Sequence, residues 1–220
     1  MNQNNPDLIL IGDSLTFGYG VSKKDSWVYK LQEKFTSKII LNKGINGDTT
    51  SSMLTRYYKD VLSKKPKKIF IMGGTNDLLC GRNVDYIVKN LELMIKEGLE
   101  NNSEIIIGIP PIIIKDLAET LFMPSNYYKY CDENLSSLRS HIINLQKKYP
   151  FKYVDFYTLT KNHTLSEKIF LDGIHLNIKG NLLLFKCFLD ILWCCNSSII
   201  SIYILHIDAF ITIYNISTSE

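Results

Sequence analysis

Ser14, within Gly12-Asp13-Ser14-Leu15, and His175, within Asp172-Gly173-Ile174-His175, are the residues of this sequence best suited to nucleophilic chemistry. A serine hydroxyl attacks a carbonyl only when a base takes its proton, and histidine is the usual base. That histidine needs a carboxylate to hold its tautomer. Asp172 lies three residues before His175, near enough for a tight turn to bring its carboxylate to the imidazole Nδ1. The attacked carbonyl also needs preorganised N–H donors for its developing negative charge. Gly47 can bring a bare backbone N–H close to a ligand, and Asn76 can offer a side-chain amide. Acyl transfer is the chemistry these types would do together. Taken singly, each has a plainer use: a serine after a strand caps helices, and Asn76-Asp77 reads as an Asx turn or helix start.

Such residues need a scaffold that gathers them at one edge. Asp7–Ile11, Lys38–Asn42, Lys68–Met72, Glu104–Ile109 and Phe151–Val154 read as strands, most rich in Ile and Val and bounded by Gly, Pro, Asn or Asp. Near-continuous apolarity suits strands covered on both faces, hence a parallel sheet. Helical periodicity follows over Ser26–Phe35, Val84–Leu99 and Leu135–Leu145. Alternating β and α predicts an α/β protein, a three-layer α/β/α sandwich with a five-stranded parallel sheet. Ligands in such sheets bind beyond the carboxyl ends of the strands. The loops carrying Ser14, Gly47, Asn76 and His175 all lie there or lead there.

At these residues the sequence resembles the GDSL, or SGNH, hydrolase family. Gly12-Asp13-Ser14-Leu15 is similar to its first block and Asn46-Gly47-Asp48-Thr49 to its second. Gly74-Thr75-Asn76-Asp77 resembles the third, and Asp172-Gly173-Ile174-His175 the last, all in family order. The resemblance implies a flavodoxin-like sandwich, with Ser14 as nucleophile and His175 as base oriented by Asp172. It further implies an oxyanion hole from the N–H groups of Ser14 and Gly47 and the side chain of Asn76. Gly47-Asp48-Thr49 and the chain length look most like the small bacterial thioesterase, lysophospholipase and acetyl-esterase branch. Leu176 departs from the proline many members carry there, which leaves the triad intact. Asp13, adjoining Ser14, is read as bracing the turn, with Asp48 and Asp77 in similar supporting roles.

The implied reaction cleaves a small ester or thioester through a seryl acyl-enzyme, with neither cofactor nor metal. A non-catalytic binding module on the same fold is the alternative. Substrate choice must come from the rim. Ile112–Tyr130, with Leu121, Phe122, Met123, Pro124, Tyr127, Tyr128 and Tyr130, is either an apolar wall for an acyl chain or a helix start packed on the core. Acetyl, longer acyl and thioester substrates all remain open.

Composition narrows the partners. The chain has 220 residues, 45% apolar and 21% charged, with net charge +3 and no dense basic block. No nucleic-acid partner is expected from that. The N-terminus lacks the basic start and long apolar run of a secretory signal, which points to a cytoplasmic protein. Five cysteines, at 80, 131, 187, 194 and 195, lack zinc-type spacing and read as reduced, packed residues. His141 falls in a helical pattern, His163 in a polar loop and His206 in an apolar tail. Residues 1–192 form the expected hydrolase domain and 193–220 an apolar extension. Ile191–Ile207, 17 residues without Lys, Arg, Asp or Glu, includes Asn196-Ser197-Ser198 and falls short of the roughly 20 apolar residues of a bilayer span. Its β-branched content favours extended structure, as added strands or a homo-oligomer surface, over membrane association.

Overall fold

In the computed structural model, which describes residues 5–163 and 166–193, alternating strands and helices build three layers. The strands are β1 (Leu8–Gly12), β2 (Ile40–Gly44), β3 (Lys68–Met72), β4 (Glu104–Ile109) and β5 (Lys152–Asp155). All pair in parallel in the order β2-β1-β3-β4-β5, the flavodoxin-like order. The helices are α1 (Ser14–Phe17), α2 (Trp27–Lys34), α3 (Thr50–Asp60), α4 (Thr75–Leu79), α5 (Val84–Glu100), α6 (Lys115–Leu121), α7 (Asn126–Leu145), α8 (Phe156–Lys161) and α9 (Ile178–Trp193).

The two-residue period of a strand divides the core into two. Ile9, Ile11, Ile69, Ile71, Ile105 and Ile107 face Met53 and Tyr57 of α3, Leu91 and Met94 of α5, and Leu138 and Ile142 of α7. Leu8, Leu10, Phe70, Met72 and Ile106 face Trp27 and Leu31 of α2, and Leu184 and Phe188 of α9. On that side Trp27 meets Phe70, Phe156 and Phe188 edge-on, with ring centroids 5.3–5.9 Å apart. Truncating a buried ring such as Phe188 to alanine should cost about 3–5 kcal/mol. Asn181 of α9 accepts from Trp27 N–H at 3.2 Å, and its amide donates to Leu176 O at 3.0 Å. The last helix is thereby tied to α2 and to the chain just after His175.

Expected and observed elements agree at β3 and β4. β2 begins two residues later than expected and runs on through Lys43 and Gly44, because Ile11 and Gly12 pair with them. On this edge strand, Asn42 donates to Thr16 O and accepts from Gly44 N–H, so polar residues are held without a buried face. α7 begins nine residues before the expected Leu135, started by a Ser125 cap that accepts from Tyr127 N–H. Helices α3 and α8 have no counterpart in the expected pattern, while α6 falls within Ile112–Tyr130, where a helix start packed on the core is one of the two expectations. Among the described residues Cys80, Cys131 and Cys187 are free thiols, and no helix is long and apolar enough to cross a membrane. The apolar extension from residue 194, with Cys194, Cys195 and His206, lies outside the described residues.

Candidate active site

Strand β1 delivers Ser14 to the carboxyl edge of the sheet. Asp13 caps the one-turn helix α1, its Oδ1 accepting from Leu15 N–H at 2.9 Å, and Gly18 closes the turn. Asp13 therefore points into the turn, as expected, and is fully buried. Burial pushes its carboxyl up to about 7, against the pull of the Leu15 N–H and of His175. Ser14 starts the helix, and its N–H is one of the donors a helix N-terminus leaves without an intrahelical partner.

The imidazole beside Ser14 comes from 161 residues further along the chain. His175 Nε2 lies 3.0 Å from Ser14 Oγ, and His175 Nδ1 lies 2.7 Å from Asp172 Oδ2. The other oxygen of Asp172 accepts from the N–H groups of Ile174, at 3.0 Å, and His175, at 2.7 Å. One oxygen thus shapes the turn while the other orients the ring. Burial would raise the Asp172 pKa, but the bonds from the His175 ring and the two backbone N–H groups outweigh it and hold the carboxyl below the ordinary aspartate value. Gly173 sits at φ +87°, where a Cβ would lie 2.5 Å from Ile114 O and 2.6 Å from Ala118 N. No other residue fits there, because the start of α6 packs directly on this turn. Leu171 N–H donates to His175 O at 2.7 Å, and Asn177 receives the N–H groups of Lys179 and Gly180 at the start of α9. The Tyr19 ring covers the imidazole, with centroids 4.4 Å apart.

Gly47 and Asn76 meet through Asp48. The Asn76 amide, at the start of α4, donates to Asp48 O at 2.9 Å, which leaves its second N–H for a ligand. Gly47 has φ +79° and open space where a Cβ would be, within a turn closed by Asp48 N–H on Ile45 O. Ile45 N–H in turn donates to Gly12 O, which links this loop to the strand that carries Ser14. Asp77 is buried and accepts from Thr50 N–H and Thr50 Oγ1, both at 2.8 Å, while Asn90 donates to Thr50 Oγ1. Burial raises its pKa despite the Thr50 bonds. Asp77 therefore joins the first turn of α3 to α4, and Asp48 joins the second-block loop to Asn76.

The five expected residues thus form two groups, Ser14-His175-Asp172 and Gly47-Asn76, the second bridged by Asp48. His141 lies on the surface, its Nδ1 against Ser137 O at 2.8 Å. Tyr19, Thr50, Arg56, Asn90 and Asn181 were not singled out from the sequence. Thr49, whose hydroxyl accepts from Ser52 N–H as the cap of α3, was the one local signal that could have located that helix.

Relatives share this architecture. The chain is 25% identical over 178 residues to a protein of Escherichia coli K12 named thioesterase 1/protease 1/lysophospholipase L1, covering 77% of this chain and 75% of that one. A solved structure from Veillonella parvula, a member of the lipolytic G-D-S-L family, superposes with a TM-score of 0.70 at 24% identity. It covers 83% of this chain and 96% of its own, a likeness of fold. A lipase/acylhydrolase from Enterococcus faecalis gives 0.63 at 26% identity, over 83% of this chain and 93% of that one. With the family model matching residues 10–183, more than half of its length, this chain belongs to the GDSL-like lipase/acylhydrolase family.

Proposed function

We propose that the protein hydrolyses a carboxylic ester or thioester through an acyl-enzyme on Ser14. The observation that carries this reading is the continuous path from Ser14 Oγ through the His175 ring to Asp172, at 3.0 and 2.7 Å. Asp172 holds the proton on Nδ1, so Nε2 presents a lone pair to the serine hydroxyl. As Oγ bonds to the carbonyl carbon, its proton passes to Nε2. The carbonyl oxygen takes up charge facing the N–H groups of Ser14 and Gly47 and the free N–H of Asn76. The tetrahedral species collapses as Nε2 gives its proton to the departing alkoxide or thiolate. Water then repeats the sequence, releasing the acid and restoring Ser14.

The rim favours an aliphatic acyl group. Leu121, Phe122, Met123 and Tyr127 are 46–82% exposed, although such side chains lose about 1.5–3 kcal/mol each when left in water. They connect α6, which packs on Gly173, to the start of α7, where Tyr127 lies against Gly81 just after α4. This stretch therefore runs between the turn that holds His175 and the helix that holds Asn76. Of the two readings of Ile112–Tyr130, each suits a part: Ile113 and Ala118 pack in the core, while the exposed side chains between the helices suit the wall. The name of the Escherichia coli relative agrees with acyl substrates of this kind.

Hydrolysis of esters and thioesters graded by acyl length, with wild type and Ser14→Ala side by side, tests the proposal. Wild type should turn over and prefer chains beyond acetyl, and a fluorophosphonate should label Ser14. The variant should lose about three to six orders of magnitude in kcat with its fold unchanged. Turnover in purified, folded Ser14→Ala near the wild-type rate sinks the mechanism. An unlabelled, inactive wild type would support a binding module instead.

A further inference from the structure

Gly47 is the least supported of the proposed oxyanion donors. Nothing stands within 4 Å of where its Cβ would be, so the position of its N–H depends on what holds its neighbours. Ile45 is tied to Gly12 O, and Asp48 N–H to Ile45 O. The Asp48 carbonyl is itself the partner of Asn76. Whatever fixes Asp48 therefore fixes both donors at once.

The Asp48 carboxylate is fixed by Arg56, on the second turn of α3. Arg56 Nε and Nη2 both reach Asp48 Oδ2 at 2.7 Å. Nη2 also donates to Lys43 O at 2.8 Å and Gly12 O at 3.2 Å, and Nη1 to Asp60 Oδ2 at 3.0 Å. One guanidinium so grips the carboxyl ends of β1 and β2 and the loop between β2 and α3. The Arg56 side chain is only 14% exposed and that of Asp48 12%, so water competes weakly for these bonds. Gly12 O is shared between Ile45 N–H and Arg56, which places the nucleophile's strand and the donor loop on a single acceptor. Lysine cannot reproduce this, because its donors radiate from one nitrogen instead of a planar fork.

We propose that Arg56 is a positioning residue for the oxyanion hole, setting Gly47 and Asn76 against Ser14 through Asp48. The inference rests on the acyl-hydrolase reading above. Arg56 does not meet the substrate. Its contribution arises because a misplacement of about 1 Å at a reacting group can cost on the order of 100-fold in rate.

The experiment is a double-mutant cycle in the full chain, with kcat and KM measured for wild type, Arg56→Met, Asn76→Ala and the double variant. Arg56→Met should lower kcat by about 10- to 100-fold with KM within about threefold, and should weaken an alkyl boronic acid that forms a tetrahedral adduct on Ser14 by a similar factor. In the Asn76→Ala background the same substitution should cost much less, since part of what Arg56 holds is already gone. The pH dependence of kcat/KM should keep its wild-type form, because the His175–Asp172 pair is untouched. An additive cycle, an effect confined to KM, or a displaced pH profile would each overturn the proposal. Arg56→Lys serves if the methionine variant does not fold: it keeps a cation near Asp48 but cannot span all four acceptors, and should still slow kcat at least threefold. Wild-type kcat in folded Arg56→Lys overturns the proposal as well. Unchanged kcat in Asn76→Ala alone would instead refute the oxyanion-hole assignment beneath it.

Discussion

The division of labour between the two oxygens of Asp172 makes it separable by a single isosteric change. In Asp172→Asn the amide oxygen can take the place of Oδ1 and keep both backbone bonds, to Ile174 N–H and His175 N–H. The amide nitrogen then replaces Oδ2, 2.7 Å from His175 Nδ1. Two N–H groups cannot face each other there, so a neutral ring must carry its proton on Nε2, 3.0 Å from Ser14 Oγ. The base is lost while the turn survives. The same exchange in the Ser-His-Asp template costs about 10⁴ in kcat, which corresponds to about 5 kcal/mol of transition-state stabilisation. Asp172→Ala removes the turn's acceptor as well, and two backbone bonds at about 1 kcal/mol each predict a melting point roughly 4–8 °C lower. Kinetics with a chromogenic short-chain ester, beside thermal melting by circular dichroism, separates the two variants. The carboxylate also has an acid signature. Its folded pKa lies below the unfolded value of about 3.9, so its contribution to stability is complete above that value. That contribution disappears as pH falls through the lower, folded value, a loss Asp172→Asn should not share. An asparagine variant that melts like wild type and keeps kcat/KM within tenfold would refute the tautomer argument.

Asn76→Ala should lower kcat by about 100- to 1,000-fold with a smaller change in KM, read from steady-state kinetics; a change mainly in KM would place Asn76 in ground-state binding. Asp13 tests the opposite linkage: its pKa is raised to about 7 in the folded protein, so stability is unpenalised below the unfolded value of about 3.9 and falls as pH rises towards 7. Asp13→Asn should therefore gain stability relative to wild type across that window and hold the advantage above it, as denaturant midpoints at a series of pH values would show. Equal pH dependence of the two proteins contradicts it. Tyr19→Ala should slow kcat about two- to tenfold, the worth of one ring contact on His175, while Tyr19→Phe behaves as wild type. Identical rates for both variants would mean the contact carries nothing.

Legibility in the sequence followed burial and locality. β3 and β4 are covered on both faces, so their unbroken apolar runs marked their limits without ambiguity. β2 lies at an edge, and its polar end reads as loop until its pairing with Ile11 and Gly12 is seen. Helix α3 presents few core anchors, Met53 and Tyr57 chief among them, in an otherwise polar stretch, too little for a periodic signal. The turn from Asp172 to His175 was readable because acid, glycine and histidine are close neighbours in the chain. Arg56 was not, since its meaning lies in acceptors at Gly12, Lys43 and Asp48, brought to it by three different elements. Tyr19 and Asn181 are illegible for the same reason: one acts on His175 and the other on Trp27, far away along the chain.

The contact between Ser14 and His175 spans 161 residues, and α9, which follows His175, docks against α2 through Asn181 and Trp27. In the proposed mechanism the nucleophile Ser14 and the donors Gly47 and Asn76 lie within the first 76 residues, and the base is His175. During synthesis, which proceeds from the N-terminus, a nascent chain would carry the serine long before the histidine that deprotonates it. Closing so long a loop is slow relative to local contacts, so catalytic competence should appear with the last cooperative step of folding. On the proposed mechanism, a half-made or locally opened molecule should not react with acyl groups. For the experimenter, the rate of fluorophosphonate capture becomes a clock for docking of the final helix, readable in a lysate without purifying the protein.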